Sequence, residues 1–418
     1  MKRILILYEK NIFSMTDFWS IDYSKIPQVV DKDFMGIFPN VGNKVWLQAI
    51  VSLISSENVE YDFGYESIST DDINNNFDYV IMPLANCFHS GWIQWMRKRT
   101  QKIKQIKIPV FVIACGVQAN SYDDLNSLIE STREPATEFI KSVYNTGGEW
   151  ALRGFFTYEY FKRLGFPDAV VTGCPSLFQM GRDLLISNYK ISQSEFKYSL
   201  NGGFDLPIND DEYDNCDFID QGNYGNLFYD STFFEKHNFN ARRILKLVRR
   251  GETHVLKAIA DNRIKIFADT QDWLSYFILN KISFSFGSRI HGTIMPILAQ
   301  TPSMLYACDA RTQEMAEFFD IPFITPNQQQ KKSIYDWYVE TDYSKFNKYF
   351  KKRFDDFQSF MVKCGLVDRV NENNSFMSRD NKVIKFFHSV NSESQEKLNR
   401  KIRIMKPGIW ITKNIYNC

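Results

Sequence analysis

The sequence predicts an α/β protein built from two Rossmann-like domains that face each other across a cleft. Short apolar runs alternate with helical patterns in the N-terminal third, and the same alternation returns after an irregular central tract. A chain of 418 residues is also too long for one average core. We therefore divide it into an N-terminal domain (1–175), a C-terminal domain with an irregular insertion (176–340) and a helical C-terminal extension (341–418).

The N-terminal domain is predicted to begin with a buried strand at 4–8, because this apolar run is short and meets charged residues at once. A helix at 44–54 follows, with Asn43 as its N-cap. The strong strand at 109–114 leads into Gly116 and Gln118, at the strand end where parallel sheets bind ligands. The other expected elements are strands at 79–84, 150–153 and 169–172 and helices at 91–106, 138–144 and 155–164, the last ended by Gly165.

The C-terminal domain is predicted to open with a crossover and an irregular insertion, since 187–240 is rich in Asn, Asp, Gly and Tyr. A domain boundary is expected near Pro175. The strand–helix alternation then resumes, and the strand-end loops of both halves would line a shared cleft. The expected elements are strands at 263–267, 282–286 and 303–307 and helices at 242–250, 269–280 and 313–319, the last ending before Pro322.

Composition and motifs exclude several classes of protein. Hydrophobic residues make up 44% and charged residues 24%, as in soluble globular proteins, and a net charge of +1 argues against nucleic acid as a partner. The seven cysteines form no Cys-x-x-Cys pair, so neither a zinc site nor a disulfide framework is expected. The chain has no Walker loop, Gly-x-Gly-x-x-Gly or nucleophile elbow, which argues against ATP hydrolysis, nicotinamide chemistry and acyl transfer. No apolar run reaches the roughly 20 residues of a membrane span, so we expect a cytoplasmic protein.

The segment 284–302 carries the most chemistry. It places Arg289 and His291 between an apolar strand and a helix whose Pro296 is expected in the first turn, where proline is tolerated. Free N–H groups and the helix dipole favour an anion there, and neighbouring glycines let a ligand approach the backbone. A histidine titrates near operating pH, and a nearby phosphate would raise the pKa of His291, so we predict that it acts as an acid. The alternative is a structural histidine.

Two further arginines stand near predicted strand ends. Arg153 closes the strand at 150–153, and together Arg153 and Arg289 on facing domains could bind a substrate with two anionic groups, since a guanidinium matches carboxylate and phosphate. The alternative is that Arg153 pairs with a surface carboxylate. Arg311, in the loop 308–312, is a third candidate, and its alternative is an ion pair with Glu314 or Glu317.

Four segments give the chain a resemblance to the polysaccharide pyruvyl transferase family: 40–43, 114–118, 152–153 with 173–175, and 288–292 with 308–312. The resemblance implies a fold similar to the B-type glycosyltransferases, phosphoenolpyruvate as donor and co-substrate, and a saccharide acceptor that is lipid-linked or nucleotide-linked, with no cofactor and no metal. It implies that Arg153 and Arg289 hold the donor while His291 protonates it, so that a pyruvyl ketal forms on the sugar. The predicted substrate-binding residues are Gly42, Asn43, Gly116, Gln118, Ser288, Gly292, Arg311 and Thr312.

The chain departs from the family where Asn43, Gly154 and Cys174 stand in place of aspartates. These positions lie in the N-terminal domain, which we assign to the acceptor, whereas the C-terminal domain is assigned to the donor. Two alternatives stay open. One is a glycosyltransferase of the same fold, in which Arg289 and Arg311 bind a nucleotide diphosphate, and the other is a non-catalytic scaffold for capsule assembly.

The C-terminal extension combines an amphipathic run at 346–354 with a basic stretch at 397–406. Basic and aromatic residues together could touch an anionic membrane surface, which would place the protein at the inner face of the membrane in capsule or exopolysaccharide synthesis. The alternative is a helix packed against the body of the protein with a solvated face.

Overall fold

Two parallel β-sheets with helices packed against them form the described part of the protein. The computed structural model describes residues 1–7, 42–64, 68–203, 205–221, 254, 257–258, 261, 263–267, 270–328 and 330–372. Within them, all strand pairings between named strands are parallel, so the α/β class with two Rossmann-like halves is confirmed.

The first sheet lies in the N-terminal half and has the strand order β2-β1-β3-β5-β6-β7, with β4 paired to β5. Its central strand β5 is buried along its whole length and reads as a continuous apolar run, which is typical of a strand covered by helices on both faces. The strands are β1 (Lys2–Leu7), β2 (Val59–Gly64), β3 (Tyr79–Pro83), β4 (Asn86–Phe88), β5 (Val110–Val117), β6 (Trp150–Leu152) and β7 (Val170–Val171).

The second sheet has the strand order β10-β9-β8-β11-β12-β13, which reverses direction between β8 and β11. In open α/β sheets, such a reversal opens a crevice at the carboxyl ends of the two strands, and ligands bind there. Asn201 and Gly287 are the last residues of β8 and β11. The strands are β8 (Tyr198–Asn201), β9 (Asp217–Asp220), β10 (Ile264–Ile266), β11 (Phe284–Gly287), β12 (Ser303–Tyr306) and β13 (Phe323–Ile324).

The helices connect these strands as crossovers and cover the sheets. They are α1 (Gly42–Ile54), α2 (Thr70–Asn76), α3 (Ile93–Ile103), α4 (Leu125–Tyr144), α5 (Phe155–Arg163), α6 (Thr270–Leu279), α7 (Ile290–Leu298), α8 (Ala310–Phe319), α9 (Ile334–Glu340) and α10 (Ser344–Lys363).

Several predicted elements differ from the observed ones. The tract at 187–240 was expected to be irregular, yet its described part contains β8 and β9, so that interpretation was wrong there. Helix α1 begins at Gly42 and therefore includes Asn43, which rules out Asn43 as its N-cap. The predicted helix at 242–250 and the basic stretch at 397–406 lie outside the described residues.

The two sheets share one continuous apolar core. Buried side chains run from β1 and α1 through the 3₁₀ turn Pro175–Met180 into the second sheet and α10. A second cluster fills the other face of the first sheet, between α3, α4 and α5. The halves are therefore packed directly against each other and not merely linked.

The C-terminal helix α10 packs its aromatic side against this shared core. Phe346, Phe350, Phe354 and Phe357 are each at most 1% exposed, and Phe178 from the 175–180 turn contacts the ring of Phe354 at a centroid distance of 5.6 Å. The apolar side of the amphipathic run thus lies against the protein, as the packed alternative expected. Among the described helices, none has both the length and the apolar character needed to span a bilayer.

Candidate active site

Helix α7 begins directly after β11, at the reversal of strand order in the second sheet. Arg289 is its N-cap residue with an extended backbone (φ −97°), and His291 is the second helical residue. The Arg289 N–H donates to Oδ1 of Asn201 at the end of β8, over 3.0 Å, which fixes the start of the helix. Pro296 is the seventh residue of α7, so the expectation that it falls in the first turn was wrong.

The glycines beside Arg289 and His291 leave space for the side chains and backbone of neighbouring residues. A Cβ at Gly287 would lie 2.1 Å from the carbonyl oxygen of Asn201, and one at Gly292 would lie 2.4 Å from Cγ of Asn201 and 2.6 Å from Nε2 of Gln221. Both amide side chains are at least nine-tenths buried, and the side-chain nitrogens of Asn201 and Gln221 have no hydrogen-bond partner among the described residues. Close packing of α7 on β8 therefore requires these two glycines.

His291 is buried where the two halves meet. It is 7% exposed, and its Nε2 lies 3.3 Å from Oγ of Ser176, which in turn lies 3.0 Å from Sγ of Cys174. Ser176 belongs to the 3₁₀ turn Pro175–Met180, which precedes the second sheet. Sequence reasoning missed Ser176, although its neighbours Cys174 and Pro175 were part of the family resemblance.

The surroundings of His291 keep its imidazole neutral in the unliganded protein. Burial, followed by the positive charges of Arg153 and Arg311, lowers the pKa of His291 to about 3. The two arginines come from different halves, so a buried imidazole faces cations from both. An anion placed between them would oppose their effect and raise the pKa of the ring.

Arg153 follows the last residue of β6 and is 3% exposed. Its backbone N–H donates to the Cys115 carbonyl over 2.7 Å, while its buried Nε has no hydrogen-bond partner in the part of the chain that the structure describes. It forms no ion pair with any carboxylate of the described chain, and the alternative of a surface pair was therefore wrong. A buried guanidinium of this kind needs an anion for full compensation.

Arg311 and Thr312 lie in the first turn of α8 and not in a loop before it. Nη2 of Arg311 lies 3.0 Å from Oδ2 of Asp309, the N-cap residue, so its ion pair is with Asp309 and not with Glu314 or Glu317. Asp309 Oδ1 also accepts hydrogen bonds from the N–H and the hydroxyl of Thr312, both over 2.8 Å. Within the described ranges, the buried Nε of Arg311 has no hydrogen-bond partner.

Glu314 is a buried carboxyl that sequence reasoning considered only as an ion-pair partner of Arg311. It is 1% exposed and reaches from α8 to α5 of the first half. The Thr157 N–H donates to its Oε2 over 2.9 Å, and the Thr157 hydroxyl donates to its Oε1 over 2.8 Å. Burial raises the pKa of Glu314 to about 7, although Thr157 and Arg153 oppose that shift.

The remaining predicted residues occupy several positions around this cluster. Gly116 lies within β5, where a Cβ would be 3.2 Å from Oε1 of Glu314 and 3.5 Å from Cδ of Arg153. Gln118 follows β5, and its Oε1 accepts a hydrogen bond from Asn86. Ser288 packs against Gly202, whose φ of +98° suits glycine. Gly42 is buried at the start of α1, while the side chain of Asn43 is outside the described part.

The charges of Arg153 and Arg311 thus act on His291, and that of Arg153 also acts on Glu314. Burial, Asp205 and Asp309 raise the pKa of the Cys308 thiol to about 11, whereas Arg289 lowers it. All of these groups follow carboxyl ends of strands in the two sheets, as the cleft prediction expected. Their substrate-binding roles stay predictions.

Comparisons with known proteins identify a family model and solved structures of distant similarity. A family model described as polysaccharide pyruvyl transferase matches residues 40–310. No curated protein matches the chain. The glycosyltransferase SnogD from Streptomyces nogalater is similar with 9% identity and a TM-score of 0.31, over 85% of this chain and 95% of that one. An S. aureus MnaA–UDP structure is similar with 10% identity and a TM-score of 0.36, over 93% of this chain and 98% of that one. At such TM-scores neither likeness supports an argument.

Proposed function

Because the chain belongs to the polysaccharide pyruvyl transferase family, we propose that it transfers the enolpyruvyl-derived group of phosphoenolpyruvate to a sugar as a ketal during cell-surface polysaccharide synthesis. The acceptor would be a saccharide linked to a lipid or a nucleotide. Family membership supports a transferase that modifies polysaccharides, and the donor and the ketal chemistry are our proposal.

The observation that carries the proposal is that His291 is buried within reach of the positive charges of Arg153 and Arg311, which come from different halves of the protein. Two guanidinium groups with unpartnered Nε atoms suit a donor that has both a carboxylate and a phosphate. Arg289, at the start of α7, would add a third cation beside the free N–H groups of the helix.

In the proposed reaction, His291 gives a proton to the methylene carbon of phosphoenolpyruvate. The adjacent carbon becomes electrophilic, one sugar hydroxyl adds to it, phosphate leaves, and a second hydroxyl closes the ketal. Of the two hydroxyl protons released, one restores His291 and the other goes to phosphate. Because Nε2 of His291 faces Ser176, Nδ1 is the nitrogen that would transfer the proton. A positioned acid contributes about 10²–10⁴-fold to such a rate.

The donor raises the proton affinity of the imidazole when it binds. In the unliganded site His291 is neutral at neutral pH, since its pKa is about 3. A phosphate between Arg153 and Arg311 would compensate their charge and add a negative one next to the ring. The acid would thus form only when donor is present.

An acceptor panel tests this function. The protein is incubated with phosphoenolpyruvate and a set of lipid-linked and nucleotide-linked saccharides, and released phosphate and the ketal product are measured by a coupled assay and mass spectrometry. We expect phosphate release with at least one acceptor, its loss in His291→Ala, and a raised KM for phosphoenolpyruvate in Arg153→Lys. Consumption of a nucleotide sugar without any phosphate release from phosphoenolpyruvate would contradict the proposal.

A nucleotide-sugar glycosyltransferase is the second candidate. One observation favours it: the second sheet reverses its strand order between β8 and β11, with Arg289 next to that point, and dinucleotides bind at such a reversal. The same panel, supplied with nucleotide sugars in place of phosphoenolpyruvate, distinguishes the two functions by the donor that is consumed.

A further inference from the structure

The Glu314 side chain caps the N-terminus of helix α5, although Glu314 belongs to the other half of the protein. The N-cap residue of α5 is Gly154, which has no side chain to offer. Thr157, the third residue of the helix, directs its N–H at Glu314 instead. A carboxylate at a helix N-terminus is favoured by the free N–H groups and the helix dipole.

Two glycines make the space that Glu314 occupies. A Cβ at Gly154 would lie 2.9 Å from Oε2 and 3.0 Å from Cβ and Cγ of Glu314. A Cβ at Gly116 would lie 3.2 Å from Oε1 of Glu314 and 3.5 Å from Cδ of Arg153, so both side chains lie close to Gly116. The carboxyl of Glu314 and the stem of Arg153 therefore pack against the same stretch of β5.

The charges around Glu314 identify Arg153 as the cation that acts on it. Arg153 lowers the pKa of Glu314, and Glu317 on the same helix raises it. From the first half, Tyr122 also faces Glu314, and burial followed by its hydrogen bond to Glu317 raises the pKa of this phenol, which keeps it neutral. In the unliganded protein, the ionised form of Glu314 is therefore a buried counter-charge for Arg153.

We propose that Glu314 is a positioning residue for Arg153 that takes up a proton when an anionic donor binds. The inference rests on the proposed function to the extent that Arg153 is a donor ligand. A bound anion compensates Arg153 and repels the Glu314 carboxylate, so burial is no longer opposed and the carboxyl protonates. When the anion leaves, the carboxyl ionises and its charge again compensates that of the guanidinium.

Isothermal titration of phosphoenolpyruvate into the full chain tests the proposal. The titration is run near pH 7.5 in HEPES and in Tris, whose different ionisation enthalpies give the number of protons bound. We expect wild-type protein to take up more protons than Glu314→Gln, by a measurable fraction of one proton. By linkage, the slope of log Kd against pH equals the number of protons taken up on binding. This slope should therefore be steeper in wild type than in Glu314→Gln, by the difference in proton uptake. His291 and the phosphate of the donor contribute equally in both proteins.

Glu317→Gln is the matched control. Glu317 lies one turn further along α8 and also reaches the other half, where its Oε2 accepts a hydrogen bond from the Tyr122 hydroxyl over 2.6 Å. The hydrogen bonds with Thr157 of α5 are made by Glu314. Because Glu317 raises the pKa of Glu314, the control variant should keep the proton uptake that Glu314→Gln loses, with its pH profile shifted to lower pH. Glu314→Asp keeps a titrating carboxyl and should retain part of the proton uptake. Thr157→Val removes a hydrogen bond that favours the ionised carboxyl of Glu314, so it should shift the proton uptake to higher pH.

The outcomes separate this inference from the proposed function. If wild type does not bind phosphoenolpyruvate, the proposed donor is wrong, and the same titrations are made with UDP and inorganic phosphate. Equal proton uptake in wild type and Glu314→Gln, for whichever anion binds, overturns the inference, as does the absence of binding by all three. If Glu314→Gln does not fold, the test is made with Thr157→Val. A pH profile of proton uptake in Thr157→Val that is the same as in wild type then overturns the inference.

Discussion

The hydroxyl oxygen of Ser176 lies 3.3 Å from Nε2 of His291, and this contact joins the segment that ends the first half to the first turn of α7. Ser176 is fully buried and also contacts Sγ of Cys174. The orientation of the proposed acid thus depends on a residue outside the helix that carries it. Partners of this kind fix which ring nitrogen faces the substrate.

Ser176→Ala should reduce kcat by about 10-fold, the lower end of the effect of losing an orienting partner, and leave the KM for phosphoenolpyruvate nearly unchanged. The reason is that the variant frees the imidazole without touching the arginines. Steady-state kinetics with an acceptor from the panel give both constants. Ser142→Ala is the control, because it removes another buried hydroxyl, bonded to the Phe139 carbonyl in α4, and should leave kcat unchanged. A raised KM with normal kcat would contradict the orienting role.

His291→Gln should make the protein more resistant to acid. The folded state holds the pKa of His291 at about 3, below its ordinary 6.5. Between these values the unfolded state binds more protons, so wild type loses stability as pH falls below 6.5, by up to about 1.4 kcal/mol per pH unit. Urea unfolding at about pH 7 and pH 5 should show a smaller loss in the variant. An equal loss would mean that His291 is protonated in the folded protein.

Gly154→Ala should destabilise the protein by about 1–3 kcal/mol, since the new Cβ would press on Glu314. Backbone strain is not the reason, because φ of Gly154 is −168°, an extended value that alanine also adopts. A double-mutant cycle with Glu314→Ala, measured by urea unfolding, should show a coupling energy of about 1 kcal/mol or more. Additive effects of the two substitutions would mean that Gly154→Ala destabilises the protein by some route other than contact with Glu314.

Phe354→Ala should lower the free energy of unfolding by about 3–5 kcal/mol. Its ring is fully buried and meets Phe178 edge to face. Val362 lies on the same helix and is 43% exposed, so Val362→Ala is the matched control and should change stability by less than about 0.5 kcal/mol. Thermal and urea unfolding of both variants provide the comparison, and a loss of similar size in the two would argue against a packed aromatic face.

Local patterns were sufficient to predict the strands that are apolar and buried. The run at 109–114 belongs to β5, and the segment that begins at 284 forms β11 and then α7. Strand β9 was missed because its first and last residues, Asp217 and Asp220, are charged and only two apolar residues lie between them. The partners of one short strand come from distant parts of the chain, so its own composition reveals little.

The candidate site shows the same limit. The sequence identified Arg153, Arg311 and His291, since each stands near the end of a strand or the start of a helix. It could not identify the contact of Glu314 with Thr157, because 157 residues separate the two and neither belongs to a recognisable motif. A cap supplied by another domain leaves no periodic signal in the sequence.

The segment after α10 returns to the first half, where Nζ of Lys2 in β1 lies 2.9 Å from Oδ1 of Asp368 and the Asn371 N–H donates to the carbonyl of Leu53 in α1 over 2.9 Å. A stop codon after Glu372 would preserve both contacts and the packing of α10, yet it would delete the basic stretch at 397–406. The packed body of the protein and the basic stretch are thereby genetically separable. A truncated gene that restores polysaccharide synthesis in a deletion strain would show that the basic tail is dispensable.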